Sequence, residues 1–434
     1  MNFNAFTLQM ACGGLWHGNI TEPCQRISTD TRDLKKGDVF IALHGPHFDG
    51  HAYLEEAAKK GAIAAIVDRE VSSDLPCLQV HDTLQAYADI AATWRQQFTG
   101  QVIAITGSYG KTSLRGLLEH MLKNLGYQVA ATHANENNLI GVPKSILRIR
   151  QEDIAIIECG ISEVTEMAQL SKITSPDIGV ITGFSPAHAS GLGDMKGIVR
   201  EKSTLLETSH KAILGEGVSH WMHRFSMHIP THCLDMDHPD TVSWQLKGYT
   251  LNLTHAEHQA QVDLSLPAAH WGQNIALAIE VISMFTQHSF SDVIHSLRDW
   301  QPVKGRLESI RGINSCCVLN DSYNANPASM SAALNTLRAL SGSSTAILGD
   351  MAELGQCSAE QHKKLDVSGI ERLLLVGSQM ASLAKETPHA TWVENPKEAL
   401  AIIATWQLSQ HDNILIKASR SIGLEQLIPA LTEK

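Results

Sequence analysis

The stretch QVIAITGSYGKTS, residues 101–113, decides how the rest of the chain is read. Val102, Ile103, Ala104 and Ile105 form an apolar, largely β-branched run, the mark of a buried strand. Gly107, Ser108 and Gly110 follow, small and flexible, interrupted by Tyr109. Lys111, Thr112 and Ser113 then open a segment in which Leu114, Leu117, Leu118, Met121 and Leu122 recur at helical spacing. Strand, glycine-rich loop and helix form the context that a phosphate-binding loop needs. Backbone N–H groups at a helix start wrap a phosphate, and the helix dipole favours its charge. Lys111 supplies a cation for phosphate oxygens and Thr112 a hydroxyl for Mg²⁺. Only Ser108 and Tyr109 separate the two glycines, so the loop is shorter than the G-x-x-x-x-G-K-[ST] pattern. The competing reading is an ordinary strand–turn–helix corner.

Composition limits what surrounds this loop. A chain of 434 residues, 43% hydrophobic, has room for about two to four domains with their own cores. A net charge of −11 argues against nucleic acid as the main partner but leaves room for a local cationic nucleotide site. Eight scattered cysteines without a CxxC suggest neither a disulfide framework nor structural zinc, and point to a reducing cytoplasm. The N-terminus MNFNAFTLQMACGG lacks a signal-peptide pattern, and no apolar run reaches a membrane span.

Outward from the loop, hydrophobic patterning predicts an α/β protein of three domains. Residues 1–98 read as a small α/β unit, with strands over 38–43 and 62–67 and a helix over 51–61. Two polar segments flank the first strand, Ser28-Thr29-Asp30-Thr31-Arg32 and a loop containing Phe48, Asp49 and His51. Together they suit a phosphorylated or sugar ligand; plain surface turns are the alternative. Residues 99–302 read as a doubly wound nucleotide domain. The strand over 153–158 ends in Glu158, where open parallel sheets present ligands and where a carboxylate can join Thr112 on Mg²⁺. Another strand, 178–182, precedes His188, and a helix carries Lys202. Residues 303–434 repeat the alternation, with strands over 316–319, 345–348, 373–376 and 414–416 and a helix over 329–340. Such alternation implies a parallel sheet covered on both faces, with Asp321, Asp350, Lys417 and Arg420 on its ligand side.

Taken together these strings resemble the Mur ligase family over nearly the whole chain. They include ISTDTRDLKKGDVFIALHG with FDGH (28–51), ITGSYGKTS (105–113), NNLIGVP (137–143) and IECG (157–160). PAHASGLGDMKGIVREK (186–202), DSYNANPASM (321–330), LGDMAELG (348–355) and IKASRS (416–421) follow in family order, and DSYNANP and GDMAELG are far more specific than a phosphate loop. The similarity is greatest to members that join D-alanyl-D-alanine to UDP-N-acetylmuramoyl-tripeptide.

The resemblance implies one domain for the UDP-sugar peptide, a P-loop ATPase-like domain for ATP and a Rossmann-like domain for the amine. It also implies a reaction in which ATP phosphorylates a carboxylate and an amine displaces the phosphate. Lys111 would then hold the β/γ-phosphates, with Gly107, Ser108, Gly110, Thr112, Ser113 and Asn274 around the nucleotide. Thr112 and Glu158 would hold one Mg²⁺, and His188 a second. Lys202 aligns with the lysine that the family carbamylates, which turns a cation into an anion facing metal. Arg306 resembles an interdomain arginine that meets the phosphates, and Asp321 a ribose contact. Asn324, Asn326, Lys417, Ser419 and Arg420 would line the amine side. Thr31, Arg32, Phe48 and Asp49 would line the UDP side, and Asn137 and Asn138 belong with the substrate residues. A cytoplasmic monomer is expected.

Four places depart from the family pattern: Tyr109 where asparagine is usual, Gly183-Phe184 where an asparagine-bearing pair is usual, Trp271 after His270 where asparagine is usual, and Ala418 where glycine is usual. Tyr109 and Trp271 bear on nucleotide fit and Ala418 on the amine site. They leave open a paralogue that joins other partners; weaker alternatives are a non-catalytic nucleotide-binding protein and a general P-loop hydrolase or kinase.

Overall fold

The apolar runs become strands, and the caps and glycines around them set where each ends. The computed structural model describes residues 3–46, 48–186 and 189–433. The chain divides into two compact units: Met1–Ala104 with Gln128–Gly160 and Thr165–Asp177, and Ile105–Tyr127 with Ile161–Val164 and Ile178–Lys434.

The first unit opens with strands β1 (Leu15–His17), β2 (Arg26–Ser28) and β3 (Asp38–Ile41). A short antiparallel hairpin, β4 (His44–Gly45) and β5 (Phe48–Asp49), precedes β6 (Ala64–Val67) and β7 (Cys77–Gln79). The sheet order is β1-β7-β6-β3-β2, parallel except for β1. Every residue of β3 and β6 is buried, as expected of parallel strands covered on both faces. The helix predicted over 51–61 is split into a 3₁₀ turn, Gly50–Tyr53, and an α-helix, Leu54–Lys59. Asp49 caps the turn by accepting from His51 N at 3.0 Å.

Strand β8 (Gln101–Thr106) begins in the first unit, which also holds β9 (Val129–Ala131) and β10 (Ile154–Glu158), paired in parallel. Arg95 braces this region. It pairs with Asp177 at 2.8 Å, and the same carboxylate accepts from Val102 N at 2.7 Å.

The second unit begins inside β8, at Ile105. Its strands β11 (Ile178–Ile181), β12 (Lys211–Leu214) and β13 (Cys233–Asp235) run parallel. An antiparallel meander follows, β14 (Ser243–Lys247), β15 (Thr250–His255) and β16 (His258–Asp263). The next helix, Ala269–Ser283, starts without a side-chain cap at Ala268. The last sheet comprises β17 (Glu308–Arg311), β18 (Cys317–Asp321), β19 (Ser343–Gly349), β20 (Arg372–Val376), β21 (Ala390–Val393) and β22 (Asp412–Lys417), ordered β17-β18-β22-β19-β20-β21. Five strands are parallel and the edge strand β17 is antiparallel, a common finish to such sheets. Asn326 starts the helix Pro327–Ala339 with a reciprocal cap to Ser329, and Pro327 fits the first turn, where its missing N–H costs nothing. Among the described residues, no helix is long and apolar enough to cross a membrane.

Candidate active site

Where β8 ends, the chain turns through Gly107, whose φ of +145° suits glycine alone. A β-carbon there would stand 2.1 Å from Thr182 Oγ1. Thr182 uses the space: its hydroxyl donates to Thr106 O at 3.2 Å and to Tyr109 O. Ser108 N donates to Gly183 O at 2.8 Å, so the loop is stitched to the end of β11. Gly110 (φ +80°) caps the helix Lys111–Asn124, whose first N–H groups carry no side-chain cap. Lys111 Nζ folds back onto Gly107 O at 2.8 Å.

A cavity of about 230 Å³ opens beside this loop, wholly within the second unit. Ser108, Tyr109, Gly110, Lys111, Thr112 and Ser113 form one wall. Helix Ala269–Ser283 contributes His270, Gln273, Asn274 and Leu277, one face of the helix by their spacing. Arg306, Asp321, Asn324, Asn326 and Lys417 close the cavity. Asn326 Nδ2 donates to Ser108 O at 3.0 Å, and Arg306 Nη2 to Thr112 Oγ1 at 3.4 Å. Arg306 also lies 4.2 Å from the Tyr323 ring centroid.

Asp321 and Lys417 end two neighbouring strands and form a buried ion pair of 2.6 Å. Asp321 also accepts from Leu307 N at 3.1 Å, and Lys417 donates to Asn324 O at 3.0 Å. Burial pulls the Lys417 ammonium below the usual lysine range, and Asp321 opposes that shift. Burial also lowers the His270 imidazole to about 4, so it is neutral near pH 7. Ser108 Oγ, His270 Nδ1 and Arg306 Nε are buried polar atoms with no hydrogen-bond partner among the described residues. Buried polar groups are ordinarily satisfied, so three such atoms at one cavity mark a place for a polar ligand.

Lys202 lies on the helix Met195–Ser203 and is fully buried. Glu353, which sequence reasoning passed over although it lies in the GDMAELG string, feels the charges of both Lys111 and Lys202. Burial raises its carboxyl, while those lysines and a hydrogen bond with Asn324 pull it back. Ser419 ties the same loop, its hydroxyl accepting from Ala352 N at 2.9 Å, and Arg420 is exposed. Asp350 instead turns its carboxylate to Gln379 N and Met380 N, 3.2 and 2.9 Å away, a structural cap. Glu216, Gln273 and Thr182 also line the cavity without a signal in sequence spacing. Glu216 accepts from Trp244 Nε1 and, at 2.9 Å, from Gln273 Nε2.

Most of the remaining candidates lie in the first unit. Glu158, the buried last residue of β10, accepts from Asn137 Nδ2 at 2.9 Å. Asn138 Oδ1 accepts from Gly141 N at 2.9 Å. Thr31 is buried, and its carbonyl accepts from Lys60 Nζ at 2.8 Å. Arg32 is exposed and chelates Asp30 at 2.6–3.1 Å. Phe48 is half-exposed and stacks on Tyr53 at 5.5 Å, and Asp49 pairs with His51 and Arg69. His188 lies outside the described residues.

The departures separate by where they point. Trp271 is buried away from the cavity, edge-on to Trp300 at 5.2 Å. The Ala418 methyl is buried in the core of the last sheet, and a β-carbon on Gly349 would stand 2.7 Å from it. The sequence-based expectation that Ala418 touches the amine site therefore meets a methyl turned into the core. Tyr109 alone of the four changed side chains lines the cavity.

Known proteins share the fold and much of the sequence. Residues 24–95 match the model for the Mur ligase family catalytic domain, residues 105–282 the Mur ligase middle domain, and residues 305–420 the Mur ligase glutamate ligase domain. The UDP-N-acetylmuramoyl-tripeptide–D-alanyl-D-alanine ligase of Escherichia coli K12 is 32% identical across 94% of this chain and 93% of its own. A crystal structure of MurF from Acinetobacter baumannii superposes with a TM-score of 0.90 at 29% identity, covering 100% of this chain and 99% of the other. MurF ligase from Thermotoga maritima in complex with ADP gives 0.83 at 25% identity, covering 93% and 96%. The chain belongs to the Mur ligase family.

Proposed function

We propose that this chain is an ATP-dependent amide ligase that adds D-alanyl-D-alanine to UDP-N-acetylmuramoyl-tripeptide, a step of peptidoglycan precursor synthesis. The observation that carries the reading is the cavity of the second unit, where Lys111 and Thr112 of the phosphate loop meet Arg306, Asp321 and Lys417. Near-full-length similarity to the E. coli ligase supports the same substrates. On this reading residues 1–98 bind the UDP-sugar peptide, 99–302 bind ATP and 303–434 bind the amine. The protein is then a cytoplasmic monomer.

The reaction follows from charge. The acceptor carboxylate and the γ-phosphate repel, so cations must bring them together. Lys111 and Arg306 supply positive charge at the phosphates, the latter through a guanidinium whose Nε is unpaired among the described residues. The carboxylate oxygen attacks the γ-phosphorus, ADP leaves and an acyl phosphate forms. The amine of D-alanyl-D-alanine attacks its carbonyl carbon. The tetrahedral intermediate loses inorganic phosphate, and the amine proton leaves with base. Asn324, Asn326, Ser419 and Arg420 belong to the amine side, and Thr31, Arg32, Phe48, Asp49, Asn137 and Asn138 to the acceptor side. The buried pairing of Asp321 with Lys417 holds a carboxylate at the cavity for a ribose hydroxyl.

Thr112 carries a hydroxyl and Glu158 a carboxylate, oxygen donors of the kind Mg²⁺ prefers. Mg²⁺ would neutralise phosphate charge there, with His188 and Lys202 on a second ion. Lys202 is fully buried, where a carbamate carbonyl and anion would need neighbouring polar groups or metal to hold them. Mass spectrometry with both substrates and ATP tests the reading. The amide product and phosphate release dependent on both substrates are expected; a folded protein that makes no product from this pair overturns the substrate assignment. A paralogue using another amine would gain support from product with other amino acids or dipeptides. The inward-facing Ala418 methyl gives no structural reason for a changed amine site.

A further inference from the structure

Tyr109 and Gly183 both depart from the family pattern, and the structure joins them. A β-carbon on Gly183 would lie 2.3 Å from Tyr109 Cζ and 2.3 Å from its Oη. Both distances are far inside van der Waals contact. Gly183 is absent from the residues of positive φ, so a left-handed backbone does not call for the glycine. The three atoms nearest such a β-carbon all belong to the Tyr109 side chain.

The ring has little freedom to retreat. Thr182 Oγ1 holds the Tyr109 carbonyl, and Ser108 N is bonded to Gly183 O at 2.8 Å. These bonds fix the loop backbone on both sides of the ring against residues 182 and 183. Tyr109 also lines the cavity, next to the residues that receive phosphate. A side chain at 183 therefore has two outlets: it swings the ring into the cavity or lifts the phosphate loop off β11.

We propose that Tyr109 and Gly183 are a reciprocal positioning pair, in which the ring seated on the glycine sets the width of the nucleotide cavity and the height of the phosphate loop. The pair deepens the ligase reading and rests on its nucleotide site. Its signature is non-additivity, because a side chain at 183 does harm only while the ring is present.

Calorimetric ADP binding, thermal unfolding and steady-state kinetics on the full chain test it. Gly183→Asn is expected to weaken ADP binding about tenfold or more and to raise KM for ATP more than it lowers kcat. Tyr109→Ser alone is expected to weaken ADP by about threefold, and adding Gly183→Asn to it to cost less than about twofold more. If Gly183→Asn does not fold, Gly183→Ala in the same two backgrounds carries the comparison, since it places the same β-carbon. Equal losses from the Gly183 change in both backgrounds overturn the pair, as does a shift in melting temperature without a change in ADP affinity. Wild-type protein that fails to bind ADP overturns the nucleotide reading and the pair together; additivity with normal wild-type binding overturns the pair alone.

Discussion

The cavity of the second unit and the loops around Arg32 and Asp49 in the first unit treat charge in opposite ways. In the cavity, Asp321 and Lys417 are buried, and Arg306 Nε and His270 Nδ1 have no partner among the described residues. In the loops, Arg32 is largely and Asp49 partly exposed, and both are already bonded to neighbours, Arg32 to Asp30 and Asp49 to His51 and Arg69. Desolvation explains the contrast. A site that stabilises a developing phosphoryl charge works best when its dipoles are fixed and dry before substrate arrives. A site that only grips a diphosphate and sugar can exchange surface ion pairs for ligand contacts at little cost. Removing a side chain should therefore be severe in the cavity and mild in the loops.

The largest effect is expected at Lys111. Lys111→Ala should lower turnover by about 10²–10³-fold or more while leaving the melting temperature nearly unchanged. Quenched-flow measurement of phosphate release checks this. Loss confined to nucleotide affinity, with turnover intact at saturating ATP, would place the lysine outside the chemistry and blur the contrast.

Next comes the buried pair. Asp321→Ala leaves the Lys417 ammonium buried without its carboxylate and also removes the acceptor of Leu307 N. Breaking such a pair costs about 3–5 kcal/mol. The double replacement Asp321→Leu with Lys417→Met should restore much of the stability but not ADP affinity. Urea unfolding and ADP titration on the same samples separate the two. A double variant as unstable as the single one would show that volume, rather than an orphaned charge, sets the cost.

How much of this contrast was legible in the sequence depends on the type of signal. Strands β3, β8, β10 and β18 were visible because fully buried parallel strands read as unbroken apolar runs. Strands β1, β9, β13 and β21 are short and incompletely buried, and no such run marks them. The cavity-lining residues Ser108 to Thr112, Asp321 and Lys417 were legible because a glycine-rich loop before a helix and the ends of parallel strands stand out in sequence. Glu216 and Glu353 were not, because their place depends on packing between distant segments. The meaning of the departures was also hidden. Trp271 and Tyr109 looked alike as aromatic replacements, yet one turns into the core and the other lines the cavity. Helical phase separates Trp271 from His270, Gln273 and Asn274; no local pattern reveals that Tyr109 needs a glycine at position 183.

His270 sharpens the comparison through pH. Its folded-state value of about 4 lies below the ordinary 6.5, with burial the main cause, Asp321 opposing and Lys417 assisting. Between those values the unfolded chain holds more protons than the folded one. Stability is thus unaffected above about pH 6.5 and falls as the pH drops through the window, by up to about 3 kcal/mol across the whole shift. His270→Gln should flatten that part of the profile. Denaturant unfolding without nucleotide at pH 7 and pH 4.5 measures it, and an unchanged slope in the variant would assign the acid sensitivity elsewhere.

The smallest effect is expected at Arg32. Its guanidinium is exposed and grips Asp30, two residues away, so the contact is local and its loss leaves the surrounding packing intact. Arg32→Ala should leave the melting temperature unchanged and raise KM for the UDP-linked substrate by about three- to tenfold. The increase should shrink as salt is raised, because an exposed cation acting on a diphosphate is screened. Asp30→Asn sharpens the test: it frees the arginine while keeping a side-chain acceptor for Arg32 N, so affinity for the UDP substrate should hold or improve. If both variants weaken binding equally at every salt concentration, the Asp30–Arg32 pair acts as a fixed unit, and the loops of the first unit are as pre-organised as the cavity of the second.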